Sequence, residues 1–126
     1  MGIDFGLKRI GVALSDEKNK FALPRGVLLN DKNIVVVLQK IMDIEQITDV
    51  VIGESKNYAG KENQIMKKAR IFAKKIETAG RVRIHWEPEF LTSAEAARIQ
   101  GATETLDASA AALVLKSFLE KRKNSV

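Results

Sequence analysis

The sequence holds no cysteine and a single histidine in 126 residues. Without cysteine there is no disulfide or thiolate-zinc framework and no thiol nucleophile, and one imidazole, His85, poorly supplies a Ser-His-Asp arrangement or a histidine-rich metal site. No apolar run approaches the roughly 20 residues that cross a bilayer, so a membrane role is not expected. No charged stretch leading into an apolar one opens the chain, and the expected address is the cytoplasm. The length fits one domain over residues 1–126, with no room for a second catalytic lobe. What the chain does have is charge: Lys and Arg number 21 against 16 acids, a net +5 that suits a polyanionic partner, nucleic acid first. With thiol and imidazole chemistry set aside, carboxylates remain as the catalytic groups.

Periodicity divides the chain into strands followed by alternating helices and strands. Ile3 to Phe5 is a brief strand, Gly6 to Lys8 a turn, and Arg9 to Ser15 alternates Ile10, Val12 and Leu14 with small Gly11 and Ala13. A third extended piece covers Ala22 to Leu29, where Pro24 argues for an edge strand. From Asn30 the period becomes helical, with Val35, Leu38, Ile41 and Met42 on one stripe and Asn30 or Asp31 as cap. Asp49 to Gly53 contains an all-apolar run, Val50 to Ile52, of the kind buried on both faces in a parallel sheet. Glu62 to Ala79 is predicted helical and stops at Gly80, a suitable C′ residue. Val82, Ile84 and Trp86 alternate as a last strand. A short helix opened by Thr92 and ended by Gly101, then a longer one from Leu106 to Lys121, complete an α/β chain with a mixed sheet flanked by helices. Lys121 to Val126 read as a frayed basic tail.

Three places along this pattern put acids where chemistry could use them. Asp4 ends a short apolar strand just before a glycine turn, so a rigid element aims it toward a ligand; the plainer alternative is a turn-forming aspartate beside Gly6. Asp107 lies on the stripe that continues through Ala110, Ala111, Val114, Leu115 and Phe118. It faces small alanines and leaves room for a cation, unless it serves only as a helix cap, a role Thr103 and Thr105 already offer. Glu87 and Glu89 follow Trp86, and one of them should leave the sheet on the edge of Asp4; taken singly, each reads as a solvated loop acid. Clustered carboxylates raise a pKa or bind a metal, and oxygen donors suit Mg²⁺ or Mn²⁺ in phosphodiester cleavage. Lys8 and Arg9 follow Asp4 closely, and Lys56, Lys61, Lys67, Lys68, Arg70, Lys74 and Lys75 load the middle of the chain, able to position a phosphate backbone without reading its sequence.

The block Gly2-Ile3-Asp4-Phe5-Gly6-Leu7-Lys8-Arg9-Ile10-Gly11-Val12-Ala13 resembles the opening of the YqgF family, the RuvX-like Holliday junction resolvases of RNase H type. Gly53, Asn57 and Gly60 are similar to that family's central loop. Glu89-Phe90-Leu91-Thr92-Ser93 matches its Asp-Glu-Arg-Leu-Thr-Thr segment, and Asp107-Ala108-Ser109-Ala110-Ala111 its final acid before a small-residue helix. The resemblance spans nearly the whole chain. It implies an RNase H-like fold, with a three-strand antiparallel meander continued by two parallel strands. It also implies a metal-dependent nuclease using Mg²⁺ or Mn²⁺ held by Asp4, Glu89 and Asp107, with Lys8, Arg9 and Asn57 on the nucleic acid. The expected work is maturation of the 5′ end of pre-16S rRNA, or cutting of DNA junctions, with RNA preferred as partner and a homodimer as the assembly. Three departures stand out: Pro88 in place of aspartate, Phe90 in place of arginine, and Glu54-Ser55 in place of leucine-proline. Glu54 occupies the kind of strand end where RuvC-type resolvases keep a glutamate, so it could supplement or replace Glu89.

Two other classes fit part of the pattern. A nucleotide-binding lobe of the actin and sugar-kinase superfamily also opens with Asp and Gly before a hairpin, but 126 residues would supply half of such a site. A non-catalytic RNA-binding assembly factor would keep the fold with a weakened site, as the Pro88 and Phe90 departures allow.

Overall fold

The structure, a computed structural model, describes residues 1–54, 64–88 and 105–124, with 105–107 and 123–124 described by backbone only. Strands β1 (Gly2–Phe5), β2 (Arg9–Ser15) and β3 (Ala22–Leu29) come first, followed by helix α1 (Ile34–Ile44) and strand β4 (Asp49–Glu54). Helix α2 (Gln64–Gly80), strand β5 (Arg83–Pro88) and helix α3 (Thr105–Asn124) complete the order. The strands form one sheet in the order β3-β2-β1-β4-β5. β1, β2 and β3 are antiparallel neighbours, whereas β4 runs parallel to β1 and β5 parallel to β4. This is the mixed α/β sheet of RNase H-like proteins, three antiparallel strands and then two parallel ones.

Alternation along the strands sorts side chains between two faces. Ile3, Ile10, Val12, Val50 and Ile52 pack with Leu38 and Met42 of α1 and with Phe72 and Ile76 of α2. On the opposite face, Ala13 and Val51 pack with Ala111, Val114 and Leu115 of α3. Fully burying each large aliphatic side chain stabilises the fold by about 1.5–3 kcal/mol, so the first face carries most of the hydrophobic stabilisation. β3 is an edge strand, as Pro24 requires, and its register slips between Val12 and Ala13, leaving Arg25 as the extra residue of a bulge.

Helix ends differ from the sequence expectation. Neither Asn30 nor Asp31 caps α1: the cap position is Asn33, which makes no side-chain cap bond. Asp31 Oδ1 instead accepts from Asn33 N at 2.9 Å, and Asn30 Nδ2 donates to Gly6 O at 2.8 Å, because β3 must be tied back to the β1–β2 turn. Gly80 is not the left-handed residue after α2; Arg81 is, at φ 53°. Gly80 is needed for space, since a Cβ there would meet Met42 Cε at 2.5 Å. The amide of Val82 closes the turn onto Glu77 O at 3.4 Å, and Ile47 N does the same onto Met42 O at 2.9 Å after α1, with Gln46 left-handed at φ 55°. Both ends are thus Schellman motifs that feed directly into a strand. α3 runs on to Asn124 rather than fraying from Lys121, because Lys121 pairs with Glu87 and Arg122 lies 5.6 Å from the Phe118 ring. The expected Thr92–Gly101 helix lies outside the described residues, as does the expected start of α2 at Glu62.

Candidate active site

β1 is short and central, with β2 on one side and β4 on the other. Ile3 and Phe5 point into the α1/α2 core. Gly2 points the other way, and a Cβ on it would lie 2.7 Å from both Ala111 O and Leu115 Cβ of α3. By alternation Asp4 shares the face of Gly2, half-buried one step before the strand ends. Its neighbours in the sheet are glycines on both sides: Gly11 is its partner on β2, and the Ile3–Ile52 register brings Gly53 beside it on β4. The carboxylate thus stands between two residues without side chains. The following turn is held closely, since a Cβ at Gly6 would sit 2.6 Å from Arg9 O and Asn30 N donates to Lys8 O at 2.9 Å. Lys8 and Arg9, expected at the phosphate, are both exposed in and just after this turn.

The same row continues to Glu87, an acid that by sequence alone reads as solvated. Gly53 pairs with Glu87 on β5, so Asp4, Gly53 and Glu87 lie abreast on the α3 face. Two strand spacings of about 4.8 Å separate the two acids. Glu87 is 3% exposed. Ser117 Oγ donates to its Oε1 at 2.8 Å and Lys121 Nζ approaches the same oxygen at 2.6 Å, both from α3. The available signal was the parity of β5: with Trp86 turned to the α2 side, Glu87 must face α3, where Ser117 and Lys121 recur at helical spacing.

Glu54 stands on the other face. It shares the parity of Val50 and Ile52, and its carboxylate accepts from Arg70 Nη2 of α2 at 3.0 Å. That guanidinium lies 4.7 Å from the centre of the Trp86 ring. The strand period therefore separates Glu54 from Asp4 and ties it to α2.

Asp107 is the third residue of α3 and so lies in its first turn, on the helix that covers Asp4's face. Its side chain lies outside the described residues, as do Glu89, which follows the last residue of β5, and Asn57. Among the described residues no three Asp, Glu or His side chains are grouped closely enough to hold a metal. His85 is occupied at the far end of β4: its Nε2 is 2.8 Å from Asp49 Oδ1, and its ring lies tilted against Phe118, centres 4.8 Å apart. Arg83 donates twice to Asp49, at 2.9 and 3.1 Å, and Thr48 donates once. These bonds, Arg83 foremost, hold the Asp49 carboxyl well below the usual carboxylate range despite partial desolvation.

A family model described as RuvX: Holliday junction resolvase matches residues 1–121. The chain belongs to the RuvX family. Curated relatives named "Putative pre-16S rRNA nuclease" cover nearly all of it. That of Koribacter versatilis is 31% identical over 97% of this chain and 86% of its own length. That of Chlorobaculum tepidum is 35% identical over 95% and 92%, and that of Syntrophus aciditrophicus 34% identical over 95% and 87%. In this RuvX chain Pro88, the last described residue of β5, lies opposite Glu54 and brings no N–H to the ladder. No described helix is long and apolar enough to cross a membrane.

Proposed function

We propose that this RuvX chain is a metal-dependent nuclease that hydrolyses RNA phosphodiester bonds at the 5′ end of pre-16S rRNA in the cytoplasm. The observation that carries the reading is the placement of Asp4. It lies one residue before the end of the central strand, between two glycines, on the face covered by the helix whose first turn holds Asp107, while the last strand of the same sheet leads directly into Glu89. The relatives' names point to the same polymer.

Asp4, Glu89 and Asp107 are the residues that would hold the cation. A donor set made only of carboxylate oxygen suits Mg²⁺ or Mn²⁺, which are hard ions bound through one or two carboxylates and substrate oxygens. When bound, such an ion supplies Lewis acidity toward a phosphoryl oxygen and favours the attacking water. The chain's own residues do the rest. β1 fixes Asp4 rigidly, Glu89 and Asp107 supply the remaining negative charge, and Lys8, Arg9 and Asn57 bind the phosphates on either side of the scissile bond.

The test is a substrate panel in Mg²⁺ and in Mn²⁺: a labelled RNA spanning the leader and the 16S 5′ end, an unrelated RNA of equal length, and a four-way DNA junction. The proposal expects cleavage of the precursor RNA, abolished in Asp107→Asn. Cleavage confined to the junction would make the chain a resolvase, the activity in the family model's own description. Binding without cleavage of any substrate would leave an assembly factor.

A further inference from the structure

Across the sheet from Asp4, at the same end of β1, a groove of about 310 Å³ opens between the start of α1 and the outer side of α2. Phe5 and Phe72 form its floor, ring centres 5.2 Å apart, with Ile71 beside them and Lys32, Lys68 and Lys75 around it. Lys68, Ile71 and Lys75 follow one another at i, i+3 and i+7, a single stripe of α2. Ile71 is 60% exposed, a large apolar side chain set between two lysines and directed away from the core. The three lysines are exposed and have no ion-pair partner among the described residues. The groove's one acid, Asp31, already accepts a bond from Asn33 N.

The groove also connects to the turn after Asp4. Asn30, on its rim, bonds through its amide to Lys8 O and through its side chain to Gly6 O, so Lys8 lies next to the Lys32 side. Lys32, Lys68 and Lys75 thus line a groove that one backbone bond ties to Lys8, and Phe5 on its floor is the residue after Asp4. Cationic rim and apolar, aromatic floor are the two elements with which proteins hold unpaired nucleotides: phosphates to the charge, a base to the apolar surface. A duplex would offer its phosphates to the lysines but keep its bases stacked inside.

We infer that this groove seats one unpaired nucleotide of a single-stranded nucleic acid, with Lys32, Lys68 and Lys75 on the flanking phosphates, so that the strand crosses the sheet edge toward Asp4. The direction of travel rests on the nuclease reading; the binding itself does not.

Fluorescence anisotropy of a labelled single-stranded RNA in EDTA, where no cleavage occurs, tests it across a series of salt concentrations. Replacing Lys32, Lys68 and Lys75 together by alanine should weaken binding at least tenfold at 0.1 M salt. The slope of log affinity against log salt should fall by about 2, since each lost contact to a single strand contributes roughly 0.7. Ile71→Ser should weaken single-strand binding several-fold with the slope unchanged, and should leave duplex binding as it was. A control triple to alanine at Lys18, Lys20 and Lys116, all exposed and outside the groove, should change neither quantity. Thermal unfolding of every variant corrects for folding. Wild-type affinity and slope in the groove triple, an equal loss in the control triple, or an Ile71→Ser variant indistinguishable from wild type would overturn the inference. Cleavage in Mg²⁺ by the same wild-type preparation is scored separately. If wild type cleaves but the groove variants bind normally, the groove alone fails. If the groove binds as described and wild type cleaves nothing, the nuclease reading alone fails. If wild type binds no nucleic acid, both fail.

Discussion

The two faces of the sheet are built from alternate residues of the same strands, yet they are different materials. The face under α1 and α2 is aliphatic and aromatic, with Ile3, Ile52, Leu38 and Ile76 completely inaccessible to solvent. The face under α3 has small residues, Gly2, Ala13 and Ala111, beside Val51, Val114 and Leu115, and it carries Asp4, Asp49 and Glu87 among them. The comparison shows how a small chain separates its tasks. Large residues on one side hold the strands in place. The thin packing on the other lets a helix backbone approach the strands and leaves room for acids near their ends. One residue step along β1, from Ile3 to Asp4, moves from one packing to the other.

The largest expected effect lies on the aliphatic face. Leu38→Ala, at a position with no exposed surface, should cost about 2–5 kcal/mol of stability, read by denaturant unfolding. Activity should fall only with the folded fraction; a loss of specific activity beyond that would break the division between faces.

Gly2→Ala probes the thin face. Its Cβ would meet the backbone oxygen of Ala111, which cannot swing aside as a flexible side chain can, so α3 must lift from β1. A stability loss of about 1–3 kcal/mol is expected, as for overpacking elsewhere. Cleavage should fall further than folding explains, because the helix bearing Asp107 moves relative to Asp4. Unchanged specific activity would show that the closeness of α3 does not matter to the site.

Glu87→Gln should have a smaller effect. Ser117 can still donate to the amide oxygen, and the lost pair with Lys121, which is 62% exposed, is worth about 0.2–1 kcal/mol. A much larger loss in thermal unfolding would mean that the buried carboxylate has a further partner.

Asp49 adds a pH dependence and no change near neutrality. Its folded pKa lies below its unfolded value, so the stability it contributes is fully present above the ordinary carboxylate range, about pH 4, and is lost as the pH falls through that range toward the folded pKa. Asp49→Asn should flatten the acid side of the stability profile measured by denaturant titration, while Arg83→Ala, which raises the folded pKa toward the unfolded one, should make that loss smaller and end it at a higher pH.

Alternation and helical period were enough to read most of the frame. Arg9–Ser15 and Ala22–Leu29 are strands, Pro24 sits on an edge strand, and the apolar stripe of Ala111, Val114, Leu115 and Phe118 packs on the sheet. The features that were not legible depend on partners distant in sequence. Glu87 reads as a loop acid until Ser117 and Lys121, thirty and more residues on, are brought to it. Gly80 reads as a left-handed C′ residue until Met42 requires its missing Cβ and Arg81 takes the turn instead. Glu54 reads as a site acid by its strand-end position, and only the parity of β4 turns it to Arg70. The position of Asp4 beside the glycine turn was legible because what fixes it is local: a short strand, the turn, and the basic residues just beyond.

Whether Asp4 serves chemistry or structure is decided by one paired measurement on Asp4→Asn: thermal unfolding without metal, and Mn²⁺-dependent cleavage of the precursor RNA by the same preparation. The substitution keeps shape and volume and removes the charge. If Asp4 serves chemistry, cleavage falls by orders of magnitude while RNA binding survives and the melting temperature holds or rises, since acids kept for a site commonly cost stability. The contrary result is a variant that melts earlier, by the 0.5–2 kcal/mol or so that a lost turn or capping bond costs, and cleaves in proportion to its folded fraction; Asp4 would then be a structural aspartate.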